Sequence, residues 1–451
     1  ALPLALHSEG EDVAIVMPYY KSIADTFHLD TICDTQTLFT EGKVYHFDVR
    51  ALAWHGITVY FVDYPEYFMR DGLYSNAYDA YEDNGERFSF FSGAVLQTLQ
   101  ALSFTPDVIH CHDWHTAMLP YLLNHERSGF FEQTKTVFTI HNAAFQGVHS
   151  LEKIPFLRHH PHIFSQVHGG YINMLQTGIE CASKVTTVSP NYADELLTDL
   201  GSHGLHERLV KRKADLSGIL NGCDYSQWNP ATDAYLPENY SVDNLQPKRV
   251  CKTTLQTRSG LPENAGVPLI GMVCRLTEQK GFGYILPILD DLVQHNLQIV
   301  IVGTGDPKVC MDLGEFAQQH PTQFAFINGF SSEHAHLVEA GADFFLMPSQ
   351  FEPCGLNQMY SLAYGTVPIV RAVGGLKDTV VDLDTGHGAT GFVFDEPTPR
   401  ALLACIRRAL LFYYEWPTQF KDMQERGMRT RFTWEAAAKD YLRLYLAMFQ
   451  A

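Results

Sequence analysis

The sequence predicts an α/β protein built as two doubly wound domains facing across a cleft. Short apolar runs alternate with helical patterns along most of the chain, as in βα units whose parallel strands are covered on both faces. One stretch, Asn221 to Val250, breaks that rhythm with Asn, Asp, Pro and Tyr and reads as a linker. At 451 residues the chain also exceeds the size at which a single core stops growing.

The elements follow in order. "ALPLAL" reads as a helix end, Ala1 to Leu6, running into a strand at Val13 to Met17; it has no basic region or cleavage site and is not a signal peptide. Further strands are expected at Val44 to Val49, Thr58 to Val62, Val108 to Cys111, Lys135 to Ile140 and Val185 to Val188, with a long helix from Glu86 to Ser103. After the linker the strands are Pro268 to Cys274, Gln298 to Val302, Phe324 to Ile327, Phe344 to Met347 and Val367 to Val370. The helices between them are Gly283 to His295, Pro307 to His320, Ser332 to Ala340 and Leu356 to Tyr364. The domains are drawn at 1–235 and 249–432, with a closing helix, 433–451, expected to pack back on the first domain.

Composition excludes several classes. The formal charge of -19 argues against general attraction to nucleic acid or anionic lipid, so an anion must be captured locally. No segment approaches the roughly 18 uninterrupted apolar residues of a membrane span. Nine cysteines without regular spacing read as reduced thiols of an intracellular protein.

In open α/β sheets ligands bind beyond the carboxyl ends of strands, and that is where the informative residues fall. In "VIHCHDWHTAM" Asp113 stands at a strand end and at a helix start, suited either to capping or to accepting hydrogen bonds from a sugar hydroxyl. His110, His112 and His115 lie nearby, but no Cys or carboxylate set completes a tetrahedral site, and no metal is expected. In "TVFTIHNAAFQG" His141 occupies the parallel position, as a loop histidine or a site residue. In "GMVCRLTEQKGF" Arg275 and Lys280 follow a buried strand and suit a diphosphate, a fork and a point charge, unless they form a solvated turn. "IVGTGDPK" reads as a tight turn, because Asp306 disfavours phosphate at that helix end. In "PSQFEPCGLNQMY" the amides of Gly355, Leu356 and Asn357 head a helix and favour an anion, with Glu352 beside it. Glu352 then either complements the helix dipole or meets sugar hydroxyls and a developing cationic ring. "RAVGGLKDTV" supplies another glycine turn, packing or binding being open. Hydroxyl-binding groups in the first domain and phosphate-binding groups in the second suit a nucleotide-sugar donor.

"HCHDWHTAMLP", "FTIHNAAFQG", "ILNGCDYSQWNPATD", "CRLTEQKGF", "PSQFEPCGLNQMYSLAYGTVPIVRAVGGLKDTV" and "FTWEAAAKDYLRLY" resemble, in order and across nearly the whole chain, the motifs of bacterial glycogen synthases and plant starch synthases. The resemblance implies a GT-B fold of two Rossmann-like domains, and retaining transfer of glucose from ADP-glucose to the non-reducing 4-hydroxyl of an α-1,4-glucan. It implies no cofactor besides the donor, and a cytoplasmic location, or the plastid stroma in a plant or alga. By motif it makes Arg275 and Lys280 the diphosphate clamp, completed by the amides of Gly355, Leu356 and Asn357. It sets Glu352 near the donor glucose as a charge stabiliser, places Asp113, His141 and Asn221 around glucose from the first domain, turns Phe330 toward adenine, and has Cys354 line the donor pocket. Related enzymes of this fold often have a second Glu eight positions after the first; here that position is Tyr360, which matches this family's own habit.

Three departures bear on donor affinity. The family's N-terminal strand and Lys-x-Gly-Gly-Leu loop would precede Ala1, so a truncated chain is expected, its first sheet short of a central strand; Gln350 and Gln176 stand where Arg and Lys are frequent. The rival readings are a GT-B transferase using UDP-glucose and a catalytically impaired glucan-binding paralogue.

Overall fold

The computed structural model describes residues 1–40, 42–76 and 79–450. The chain forms two compact units: Ala1–Val188 with Ala193–Ile219 and Trp434–Ala451, and Ser189–Tyr192 with Leu220–Thr433.

In the first unit the strands are β1 (Ala14–Pro18), β2 (Gln36–Thr40), β3 (Lys43–Trp54), β4 (Ile57–Asp63), β5 (Val108–His112), β6 (Lys135–Ile140), β7 (Val148–Ser150), β8 (Val167–His168), β9 (Tyr171–Asn173), β10 (Lys184–Thr187) and β11 (Leu216–Gly218). They make two four-stranded sheets, β1-β4-β3-β2 and β11-β10-β6-β5, and a small antiparallel sheet, β7-β9-β8. The second of these is parallel throughout, whereas β3 runs antiparallel to both its neighbours. The all-parallel expectation is corrected there. His55 and Gly56 both take positive φ, 48° and 85°, between β3 and β4, the backbone of a tight hairpin rather than a crossover. β3 alternates accordingly: Tyr45, Phe47 and Val49 are buried and Val44 and His46 exposed. Its aromatic face packs on the helix Asn84–Ala101, Tyr45 stacking on Phe90 at 5.0 Å. β1 and β5 each pair with one strand among the described residues. The helix Trp434–Ala447 closes over the helix Leu2–Ser8 through Leu2, Ala5, Leu6, Ala437, Ala438 and Tyr441.

The second unit carries β12 (Leu269–Val273), β13 (Gln298–Gly303), β14 (Phe324–Asn328), β15 (Phe344–Met347), β16 (Val367–Arg371) and β17 (Phe392–Phe394) in one parallel sheet, ordered β14-β13-β12-β15-β16-β17. Ile299 and Ile301 feed one apolar cluster while Val300 and Val302 feed another, so the strand reads as an unbroken apolar run because both faces are covered. The helix expected over Gly283 to His295 is instead a succession of short turns, Phe282–Ile285, Leu286–Ile288 and Leu289–Leu292, because Pro287 removes a donor in its middle.

Residues 220–235, expected with the first domain, belong to the second unit. Cys223 N–H donates to Phe432 O at 2.8 Å, Trp228 stacks on Tyr360 at 3.8 Å, and Asp233 Oδ2 accepts from His336 Nδ1 at 2.7 Å and from the Tyr364 hydroxyl at 2.6 Å. Among the described residues all nine cysteines are free thiols, no helix is long and apolar enough to cross a membrane, and no group of three or more His, Cys, Asp or Glu is arranged to hold a metal ion.

Candidate functional site

Glu352 lies in the turn after β15 and is buried, at 7% exposure. Its Oε2 accepts from Lys280 Nζ at 2.6 Å and from Ser349 Oγ at 3.0 Å. Two glycine contacts fix this geometry. Gly375 N–H donates to Glu352 O at 3.1 Å, and a Cβ on Gly374 or Gly375 would strike the carbonyl of Glu352 or Cys354. The turn "RAVGGLKDTV" therefore packs against the acidic turn. On the other side Gly281 takes φ 85° and presses on Pro348, bringing Lys280 toward the carboxylate. Lys280, Ser349, Glu352, Gly355, Leu356 and Asn357 line a cavity of about 110 Å³. The helix begins at Asn357 with Leu356 as its cap residue; no side chain caps it, and the side-chain Nδ2 of Asn357 donates to Val273 O at 2.8 Å.

A larger cavity of about 340 Å³ shares Val273, Cys274 and Asn357 with the first and is lined further by Trp228, Arg275, Thr304, Phe330, Glu339 and Tyr360. Of the two expected phosphate ligands, Lys280 lines the small cavity and is paired with Glu352, and Arg275 lines the adjoining large one, exposed and with no ion-pair partner among the described residues. Phe330 stands 70% exposed beside it. Asp306 caps the helix Pro307–Gln319 by accepting from Lys308 N at 2.8 Å and Val309 N at 3.1 Å, as its turn requires.

Cys354 is buried and its thiol is pushed up to about 12 by that burial, so it lines the turn as an inert side chain bonded to the backbone of Asn221. Asn221, expected as a first-domain group, lies in the second unit.

In the first unit Asp113 and His141 meet at the ends of β5 and β6. Asp113 adopts φ 56°, ψ 179°, a backbone conformation unusual for a side-chain-bearing residue. Its carboxylate does not cap the following turn; Oδ1 accepts from His141 N–H at 2.8 Å, and the Asn142 amide bonds to the same group. Burial raises its pKa above the usual carboxylate range, against the pull of His141 and these amides. The His141 ring meets His112 Nδ1 through Nε2 at 3.0 Å.

Residues 1–211 match the starch synthase catalytic domain and residues 255–422 match glycosyl transferases group 1. The glycogen synthase of Vibrio cholerae is 50% identical over 459 residues, covering 100% of this chain and 94% of its own; that of Aeromonas salmonicida is 49% identical over 457 residues, covering 99% and 93%. The chain belongs to the glycogen and starch synthase family. The catalytic domain of Arabidopsis thaliana starch synthase IV, solved bound to ADP and acarbose, is 30% identical with a TM-score of 0.86, covering 100% of this chain and 94% of that one.

The two units are accordingly the Rossmann-like halves of a GT-B glycosyltransferase, and the family's function, glycogen or starch synthesis by hexosyl transfer, is this chain's. Seen as a synthase, its motifs accounted for the turn around Glu352 but assigned no role to Ser349, Trp228 or Glu339, which line or complete the cavities. Trp228 stands in "ILNGCDYSQWNPATD", one of the motifs of the resemblance, and that was the available signal.

Proposed function

We propose that this synthase transfers glucose from ADP-glucose to the non-reducing 4-hydroxyl of an α-1,4-glucan with retention of configuration. The Lys280–Glu352 pair carries this reading: an ammonium and a carboxylate share one buried cavity beyond the carboxyl edge of a parallel sheet. The diphosphate draws Lys280, with the amides of Gly355, Leu356 and Asn357, while Glu352 faces the sugar ring. As the bond to phosphate breaks, positive charge grows on the ring and negative charge on the phosphate. The two halves of the pair then stabilise opposite ends of one transition state. The leaving phosphate takes the acceptor's proton on the same face, so no separate general base is required. Arg275 joins Lys280 in holding the diphosphate, Phe330 faces the adenine, and the Asp113–His141 pair offers an acceptor oxygen and an imidazole to sugar hydroxyls. ADP and acarbose in the Arabidopsis starch synthase IV structure support a nucleotide and a glucan-like ligand here.

The test is incorporation of labelled glucose into glycogen from ADP-glucose and, separately, from UDP-glucose. Incorporation from ADP-glucose is expected; incorporation from UDP-glucose alone would replace the donor, and glycogen binding without incorporation from either would indicate an impaired paralogue.

A further inference from the structure

Glu339 lines the larger cavity, yet the proposed transfer leaves it without a role. It lies near the end of the helix Ser332–Gly341 and is 2% exposed. An ionised carboxylate so placed requires a cation or several donors. Lys248 acts on it only through space, because its Nζ donates instead to Ala340 O at 2.7 Å and to Thr366 Oγ1 at 2.7 Å. What meets Glu339 Oε2 is the Ser361 hydroxyl, at 2.7 Å.

That hydroxyl has one proton to give. Ser361 Oγ also lies 2.8 Å from Asn357 O, one helical turn back, and a carbonyl can only accept. With the Ser361 proton directed to Asn357, the contact with Glu339 needs a proton from the carboxyl group. The electrostatics agree: burial holds Glu339 well above the usual carboxylate range, against the weaker pulls of Ser361 and Lys248, and burial depresses Lys248 to about 8.

We propose that Glu339 is a neutral carboxylic acid that reads the donor's base: Oε2–H donates to Ser361, leaving Oε1 to accept from an exocyclic amino group. This rests on reading the larger cavity as the nucleoside site. The surrounding rings fit a planar base. Trp228 has both faces covered, by His336 at 3.8 Å and Tyr360 at 3.8 Å, and forms a fixed wall; Phe330, 70% exposed, keeps a face for stacking. The consequence is selectivity for adenine over an otherwise similar base that presents an oxygen at that position.

Calorimetric titration of the full chain with ADP and with inosine 5′-diphosphate tests this, because the two differ in that amino group. The wild type is expected to bind ADP about tenfold or more tightly than the inosine nucleotide, the worth of one buried hydrogen bond. Glu339→Gln, whose amide both accepts and donates, keeps the preference; Glu339→Leu brings the two affinities within about twofold. Infrared difference spectra of wild type minus Glu339→Gln at neutral pH should show a protonated carboxyl band. Equal wild-type affinities, a preference kept in Glu339→Leu, or absence of that band would each overturn the assignment. Failure of the wild type to bind either nucleotide would instead overturn the nucleoside reading of the cavity, and this proposal with it.

Discussion

Lys280 Nζ stands 2.6 Å from Glu352 Oε2, with side-chain exposures of 19% and 9%, so the pair is largely withdrawn from water and each charge depends on the other. The relationship separates two effects that a single substitution would blur. Glu352→Gln keeps the shape and removes the charge, and should lower kcat by about 10²–10³ with donor KM little changed. Lys280→Ala leaves the carboxylate buried beside Ser349 alone. It should raise donor KM and also lower stability by about 3–5 kcal/mol, read as a fall in Tm that Glu352→Gln does not match.

Arg275 is exposed and unpaired among the described residues, which gives Arg275→Ala a different signature. Initial rates over a range of ADP-glucose should show a raised KM and a near-normal kcat, and thermal melting should show Tm unchanged. Unaltered donor KM would remove Arg275 from the donor site.

Two glycines should respond in opposite directions to the same change. Gly375→Ala drives a Cβ into the Cys354 carbonyl and displaces the turn that holds Glu352, so both Tm and kcat should fall. Gly314 sits within the helix Pro307–Gln319 with open space where a Cβ would go, and Gly314→Ala should stabilise by about 0.5–1 kcal/mol with activity intact. Denaturant titrations of both variants check the contrast.

Glu339 makes a prediction about pH. A carboxyl whose folded pKa is raised binds more protons in the native state than in the unfolded one. Its contribution to stability is therefore fully present below the ordinary value of 4.5 and is lost as pH rises toward the raised folded value. Glu339→Gln has no such loss. Its stability relative to wild type should grow by about 1.4 kcal/mol per pH unit over that window. A constant difference between the two proteins from pH 5 to 8 would show that Glu339 ionises normally.

Much of this architecture was legible in the residues because its strands carry strong local signals. Lys135–Ile140 and Gln298–Gly303 are buried on both faces and lie in the interior of parallel sheets, where pattern and packing agree. The antiparallel β3–β4 pair was hidden because its turn is His55-Gly56, of which only the glycine announces a positive φ. Residues Asn221 to Val250 looked like a linker for a related reason. Their Asn, Asp and Pro serve turns, while Trp228 and Asp233 reach back to His336 and Tyr364 across long sequence separations that no window detects. At the site, strand ends pointed to Glu352, Lys280, Asp113 and His141, whereas Glu339 looked like any polar residue on a helix. What distinguishes it is its burial beside the larger cavity and its 2.7 Å contact with Ser361 Oγ, which only the folded packing creates.

The indole of Trp228, enclosed between an imidazole and a phenol ring, also gives this molecule an intrinsic optical probe. Of its five tryptophans, Trp228 alone lines the larger cavity. A nucleotide entering there would displace water from the indole edge and change its emission, so occupancy of the cavity should be readable from native fluorescence, with Trp228→Phe as the silent control.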